Sequence, residues 1–390
     1  MKYFLFVGIV LWVLGMVTEV FIIYYLAYFV IFLYLILCGY KYYLKNYLEL
    51  NHKVLDDHVF FNEKSKCRIE IINQGIIPII WLKVIEKLPT ELQPGYKKNI
   101  FYLRPREKRT WEFEIRGRKR GYYKPGPLRW KAGEVFGFFT VSKRIGKSNP
   151  FIVYPRIFTQ EKIEVPSQIP LGEIKWLQPI YKDMAKMAGV REHYSGDNFK
   201  HIHWKATARN NELMVKEFES TVSLEVAIIL NLNENDYGVT GSHSKIEMVI
   251  SVAASVAHYL NRISQPFQLV TNGKATGITV GSDLDIMVPV GHGESHLQRV
   301  LEVLARVKPT SEKNFLSLFK RKFNLSPGST MIVITEKDNE PLIQEAYMLV
   351  KNGFRVKLLV LGKVLHKQYL NLPLTSSLTI FRVREKNDIK

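Results

Sequence analysis

The stretch "EVAIILNLN", Glu225 to Asn233, followed after a short polar loop by "KIEMVISVAASVAHYLNRIS", Lys245 to Ser264, decides how the second half of the chain folds. Five apolar residues in a row, Val226 to Leu230, suit a strand buried on both faces, as in a parallel sheet, and lack the alternation of a half-wet antiparallel strand. Ile246, Val249, Ile250, Ala253, Val256 and Leu260 then recur at helical spacing, giving a β-α pair. Outward from this pair the theme repeats through "PFQLVTN", "ESHLQRVLEVLARVK", "STMIVITEK", "PLIQEAYMLVKNG" and "RVKLLVLGK", with Gly353 placed to end a helix. Residues 221–390 are therefore expected to form an open α/β domain with a mainly parallel sheet, whose ligands would sit at the carboxyl ends of its strands.

Upstream the texture is different. "KCRIEIIN", "IIWLKVIEKLP", "RTWEFEIRGRKRGYYKPGPLRW", "EVFGFFTVSKRI" and "FIVYP" are short β-like runs, and "NQG", "KPGP" and "KAGE" supply turns between them. A small β-sandwich-like domain over 46–160 is expected, with residues before about His58 read as a polar connector and 161–220 linking the two domains.

The first forty-five residues, "MKYFLFVGIVLWVLGMVTEVFIIYYLAYFVIFLYLILCGYKYYLK", carry two apolar runs, Tyr3 to Val17 and Val20 to Tyr40, broken at Thr18 and Glu19. A charge is costly in hydrocarbon and cheap at an interface, so 1–45 reads as a transmembrane helical hairpin with its turn at Glu19. Lys2 before the pair and Lys41, Lys45 and Lys53 after it place both ends of the hairpin, and the rest of the chain, on the cytoplasmic side of the cell membrane. No small-residue cleavage site follows the first run, which argues against a removed signal peptide. The 55 Lys and Arg against 36 Asp and Glu give +19, which beside a bilayer points first to anionic lipid headgroups. Two cysteines, Cys38 and Cys67, exclude a disulfide framework and a cysteine-built metal site.

Catalytic motifs are sparse. The loop after Leu230 is where the von Willebrand factor A fold carries an Asp-x-Ser-x-Ser metal set, and here Asn231, Asn233 and Asn235 stand at those positions. Three neutral amides forfeit most of the Coulombic hold on a divalent cation, so no metal is expected there and no cofactor elsewhere. A P-loop and a Gly-x-Ser-x-Gly elbow are absent, and Gly241 to Ser244 reads as the turn that starts a helix. His201 and His203 would share one strand face, and with His193 or Asp197 could complete a zinc set for a metal-dependent hydrolase; Lys200 and Lys205 beside them oppose a cation. "RGRKRGYYKPGPLRWK" from Arg116 could stack single-stranded nucleic acid, although a charged hairpin face is the simpler reading and no specific nucleic acid is expected.

The densest polar segment is "REHYSGDNFKHIHWKATARNNELMVKEFE", Arg191 to Glu219. Arg191, Glu192, Tyr194, Gly196, Asp197, Ile202, Trp204, Ala208, Arg209, Leu213, Val215, Lys216, Glu217 and Glu219 fit the hallmark of the family catalogued as domain of unknown function 58, which the segment resembles; Lys200 stands where that family usually has Arg. Upstream, "RGRKRGYYKPGPLRWKAGEVFGFF" is similar to the family's strand signature, with Glu134 and Val135 in place of Asp-Pro. The resemblance implies a membrane-anchored protein with a von Willebrand A-like C-terminal domain and no demonstrated catalytic activity. It further implies an accessory role beside a MoxR-type AAA+ ATPase and a transglutaminase-like membrane protein. Chemistry gives the segment a role independent of the name. Asp197 is a cap or an acceptor for the forked guanidinium of Arg191 or Arg209, after which "HIHWK" reads as strand-like and "TARNNELMVKEF" as helical. Two readings stay open: Arg191, Tyr194, Asp197, Lys200, Trp204 and Arg209 form an interdomain clasp, or a basic, Trp-anchored face for a protein partner.

Overall fold

The computed structural model describes residues 2–92, 95–146, 148–158, 187–194, 197–218, 225–238, 242–275, 286–312, 314–319, 325–326, 328–362 and 377–383. Gly196, Glu219, Gly241 and most of the 161–220 linker ahead of the hallmark segment lie outside them, as does the polar tail from 384. The chain divides into two compact units, the first built on Met1–Ile157 with short pieces of 275–277 and 301–307, the second on the remainder.

The first unit opens with α1 (Lys2–Thr18) and α2 (Phe21–Asn46), separated by Glu19 in a left-handed conformation. Among the described residues α2 is the one helix long and apolar enough to cross a membrane; α1, at 17 residues, is a shorter apolar helix beside it. An added Cβ on Gly8 would fall 2.8 Å from Ile31 Cγ1, and one on Gly15 would fall 3.3 Å from the Tyr24 ring, so glycines let the antiparallel helices approach closely.

After α2 the chain alternates sides of two sheets. β1 (Leu48–Val54), β3 (Lys64–Asn73) and β6 (Lys108–Arg116) form one antiparallel sheet in the order β1-β3-β6; β2 (His58–Val59) lies between the first two in sequence. β4 (Ile79–Lys87), β5 (Tyr96–Leu103), β8 (Leu128–Gly133) and β9 (Thr140–Ile145) form the second, in the order β5-β4-β8-β9; β10 (Phe151–Val153) pairs parallel with β2 and antiparallel with β7 (Gly121–Tyr123). In β3 every second residue from Ser65 to Asn73 is buried, as the pleat requires. Ile69, Ile71, Leu82, Val84, Leu103 and Trp130 share one core, and Leu37, Tyr43 and Leu44 of α2 enter that same core. The polar connector read into 46–58 is in large part strand β1, because Leu48, Leu50 and Val54 alternate inward and only His52 disguises the period. His52 faces Glu86 of β4 at 3.4 Å, with both side chains buried.

The second unit contains the open sheet. β13 (Val226–Leu230), β14 (Phe267–Thr271), β15 (Ile286–Gly291), β16 (Thr330–Thr335), β17 (Arg355–Val360) and β18 (Leu378–Arg382) are ordered β15-β14-β13-β16-β17-β18. All neighbours are parallel except β15, which runs antiparallel on the edge. β13, β14 and β16 are buried along their whole length, which is the uninterrupted apolar pattern realised. Helices α4 (Ser242–Arg262), α5 (Glu294–Arg306) and α6 (Glu340–Lys351) connect them. Asn339 caps α6 with Oδ1 accepting from Leu342 N at 3.0 Å, and Gly353, at φ +87°, lies just past its end.

Candidate functional site

The hallmark segment folds as a hairpin with a helical insertion. β11 (Met187–Glu192) pairs antiparallel with β12 (Met214–Phe218), placing Arg191 opposite Val215 and Glu192 opposite Met214. The strand-like reading of "HIHWK" and the helical reading of "LMVKEF" are both corrected here. Phe199–His201 is a single 3-10 turn, and α3 runs only from Trp204 to Asn210. Asn211, at φ +56°, ends α3 in the left-handed conformation that Asn tolerates, and the chain leaves it as β12. The change of direction is then fixed by packing. Ile202 and Val215 are both buried and bridge one another, His203 N donates to Met214 O at 2.8 Å, and Met214 N donates to Thr207 Oγ1 at 3.1 Å.

Asp197 takes Arg191, not Arg209. Arg191 Nη1 and Nη2 donate to the two carboxylate oxygens at 2.7 Å each, and Tyr194 N donates to Oδ2 at 2.9 Å. This is the bidentate fork that guanidinium and carboxylate geometry favours. The Arg191 hydrogen bonds, then the Tyr194 amide, hold the Asp197 carboxyl well below the usual range, and Asp197 in turn raises Arg191. The guanidinium also lies over the Tyr194 ring, 5.5 Å from its centroid. Both partners of this clasp come from the one segment, so it staples the hairpin loop to its own strand.

The histidines serve the local fold. His203 Nδ1 accepts the Ala206 amide at 3.0 Å, capping α3. His193 stacks on Phe199 at 5.5 Å, and its amide donates to Leu213 O at 2.9 Å. His201 lies in the 3-10 turn that Asn198 caps. Their caps and stacks carry no motif spacing, so only Asn198, a small polar residue ahead of the 3-10 turn it caps, is a local signal of this order. Exposed in the same segment are Trp204, with 69% of its surface open, Tyr194 at 66%, and the cations Lys200, Lys205 and Arg209.

At the carboxyl ends of β13 and β16 lies a second polar cluster. Asn231 Nδ2 donates to Asp236 Oδ2 at 2.8 Å and to Thr335 Oγ1 at 3.2 Å, its Oδ1 accepts from Asn233 N, and Tyr237 OH donates to its carbonyl. Asn233 in turn caps Asn235 N at 3.2 Å. Lys245 Nζ pairs with the buried Glu336 at 2.5 Å. Asn231, Asn235, Asp236, Thr335, Lys337 and Asp338 line a cavity of about 220 Å³ here. Both ends of the Asn231 amide are engaged, and Lys337 lines the cavity together with Asp236 and Asp338, a donor set unlike that of a tight cation site. Among the described residues no group of three or more His, Cys, Asp or Glu is arranged to hold a metal ion.

Comparison with solved structures gives small, partial likenesses. The CARDB domain of the PF1109 protein from Pyrococcus furiosus, in complex with di-metal ions, matches 27% of this chain and 94% of its own at 16% identity and a TM-score of 0.21. The C-terminal domain of wzt matches 28% of this chain and 72% of its own at 10% identity and a TM-score of 0.21. Among curated proteins, "Uncharacterized protein YeaD" of Bacillus subtilis (strain 168) is 23% identical over 235 residues, 58% of this chain and 54% of the relative, so the match spans about half of that protein. Residues 189–320, beginning at the stapled hairpin and running through the first three strands of the open sheet, match the family described as "Protein of unknown function DUF58".

Proposed function

We propose that this chain is a non-enzymatic, membrane-anchored docking protein that holds a protein partner at the membrane through its hallmark hairpin. In this reading α1 and α2 form a two-helix membrane hairpin with both ends cytoplasmic. The open sheet is a von Willebrand A-like domain, supported by its strand order, third-second-first-fourth-fifth-sixth with an antiparallel edge. The observation that carries the docking role is Trp204, 69% exposed on a hairpin already stapled by Arg191 and Asp197, with the exposed cations Lys200, Lys205 and Arg209 in the same segment. An exposed aromatic anchor with cations in the same pre-ordered segment has the composition of an interface hot spot, and pre-ordering lowers the entropy cost of binding.

The partner class we favour is a AAA+ ATPase of MoxR type, with a transglutaminase-like membrane protein as a second associate and anionic lipid beneath both. The competing reading, a metal-dependent hydrolase using Asp197, His201 and His203, has less support because Asp197 is occupied by Arg191 and His203 by its own helix. Affinity capture of the full chain from membranes, with Trp204→Ala beside it, tests the proposal. The wild-type chain recovers the ATPase and the variant does not; equal recovery by both removes Trp204 from the interface.

A further inference from the structure

The first unit exposes a cluster of large apolar side chains outside its helices. Val135 is 65% and Phe136 79% exposed at the tip of the turn between β8 and β9, and Ile76 is 71% exposed on the loop between β3 and β4. Scattered apolar residues need no explanation, but these belong to two loops, one in contact with α1 and the other tied to α2.

Their height along the helices can be read from contacts. Gly8 faces Ile31 and Gly15 faces Tyr24, and the same antiparallel register sets Phe4 level with Leu35 and Lys2 level with Leu37. Phe138 meets the Phe4 ring edge to face at 4.8 Å, and Phe136 stands 5.8 Å from Phe138. The β8-β9 turn therefore reaches the end of the apolar span. The other loop is tied slightly further out. Tyr40 OH donates to Pro78 O at 3.1 Å and Tyr43 OH accepts from Ile77 N at 3.0 Å, about 5 and 9 Å beyond Leu37 at the helical rise of 1.5 Å per residue.

The aromatic turn cannot fold its tip back. Glu134, buried, accepts from Phe136 N at 2.5 Å, Gly137 N at 3.0 Å and Phe139 N at 3.0 Å, and Phe139 is itself buried in the core. Gly137, at φ +79°, supplies the bend. Beside the isoleucine loop stand the exposed Arg104 and Arg106, the latter donating its amide to Gly75 O at 2.9 Å. Apolar tips with cations just outside them are what a bilayer interface with anionic headgroups accepts.

We infer that the β8-β9 turn and the β3-β4 loop dip into the cytoplasmic face of the bilayer, so that the β-rich unit lies on the membrane and does not hang from it by α2 alone. The inference rests on the membrane reading of α1 and α2, and the test separates the two. The full chain, with Cys38 and Cys67 replaced by serine, is reconstituted in vesicles containing anionic phospholipid. A nitroxide is placed at Phe136→Cys, Ile76→Cys, Leu26→Cys on α2 or Lys98→Cys on β5, and relaxation by oxygen, which concentrates in lipid, is compared with that by a water-soluble nickel chelate. Labels at 136, 76 and 26 are expected to favour oxygen and the label at 98 to favour nickel. A lipid-exposed label at 26 with nickel-exposed labels at 136 and 76 overturns the inference and leaves the anchor standing, marking the tips as protein-facing. A nickel-exposed label at 26 overturns both. Circular dichroism of each variant reports folding, and 76 provides an independent loop if the 136 label disturbs its turn.

Discussion

Truncating Trp204 to Ala is expected to break binding and leave folding nearly intact. Removing a fully buried Phe or Trp side chain costs about 3–5 kcal/mol. With 69% of its surface exposed, Trp204 has only a small share of that contact to lose, so about 1 kcal/mol or less of stability is at stake. In a unit of this size that moves Tm by roughly 2–4 °C. An interface hot spot, in contrast, costs at least about 2 kcal/mol of binding on truncation, near thirtyfold in Kd. Purified full-length protein in detergent gives the first number by thermal unfolding, and titration of the captured ATPase against immobilised chain gives the second. A large fall in Tm with unchanged Kd would refute the reasoning, because it would make Trp204 a packing residue.

Further outcomes follow from single groups. Asp197 is held below the ordinary carboxylate value of 3.8 by Arg191, so the staple's contribution is present above that value and is lost as pH falls toward the depressed one. Hydrogen exchange at the Tyr194 amide should accelerate in Asp197→Ala at neutral pH; unchanged exchange would mean the carboxylate does not hold the loop. Lys357, buried on β17 with no partner for Nζ among the described residues, is pushed down to about 8 by burial, then by Arg355. Between that value and 10.5 the unfolded chain holds more protons, so stability rises with pH. Lys357→Met should abolish the rise and add about 3 kcal/mol at neutral pH, read by urea unfolding at both ends of the window. Burial, then the charge of Glu86, pushes the Cys67 thiol up to about 12, so iodoacetamide should modify it only after unfolding, as mass spectrometry of native and urea-treated protein would report. An alanine methyl at Gly75 would fall 2.3 Å from the Tyr43 hydroxyl, and Gly75→Ala should cost about 1–3 kcal/mol as the α2 end is displaced, measured by thermal unfolding.

What could be read in advance tracks how far each feature depends on neighbours distant in sequence. Val226 to Leu230 announce a doubly covered strand because five apolar residues have no other comfortable place. The strand Leu48–Val54 is hidden in the sequence because His52 occupies an inward slot, and its partner Glu86 lies thirty-four residues later, on β4. At the hallmark hairpin, acid-base chemistry named Asp197 and a guanidinium as partners but could not choose between Arg191 and Arg209. That choice needed the pairing of Arg191 with Val215, which sets the fork beside the loop it closes. "LMVKEF" has good helix formers, yet Val215 is buried against Ile202, and tertiary burial outweighs a propensity difference of a few tenths of a kcal/mol per residue.

A photo-crosslinking amino acid placed at position 204 of the full chain in intact membranes, with adducts identified by mass spectrometry, tests the docking role. The account predicts an adduct to a AAA+ ATPase that disappears when Lys205 and Arg209 are reversed to Glu. Adducts confined to the chain itself, unchanged by that reversal, would contradict it.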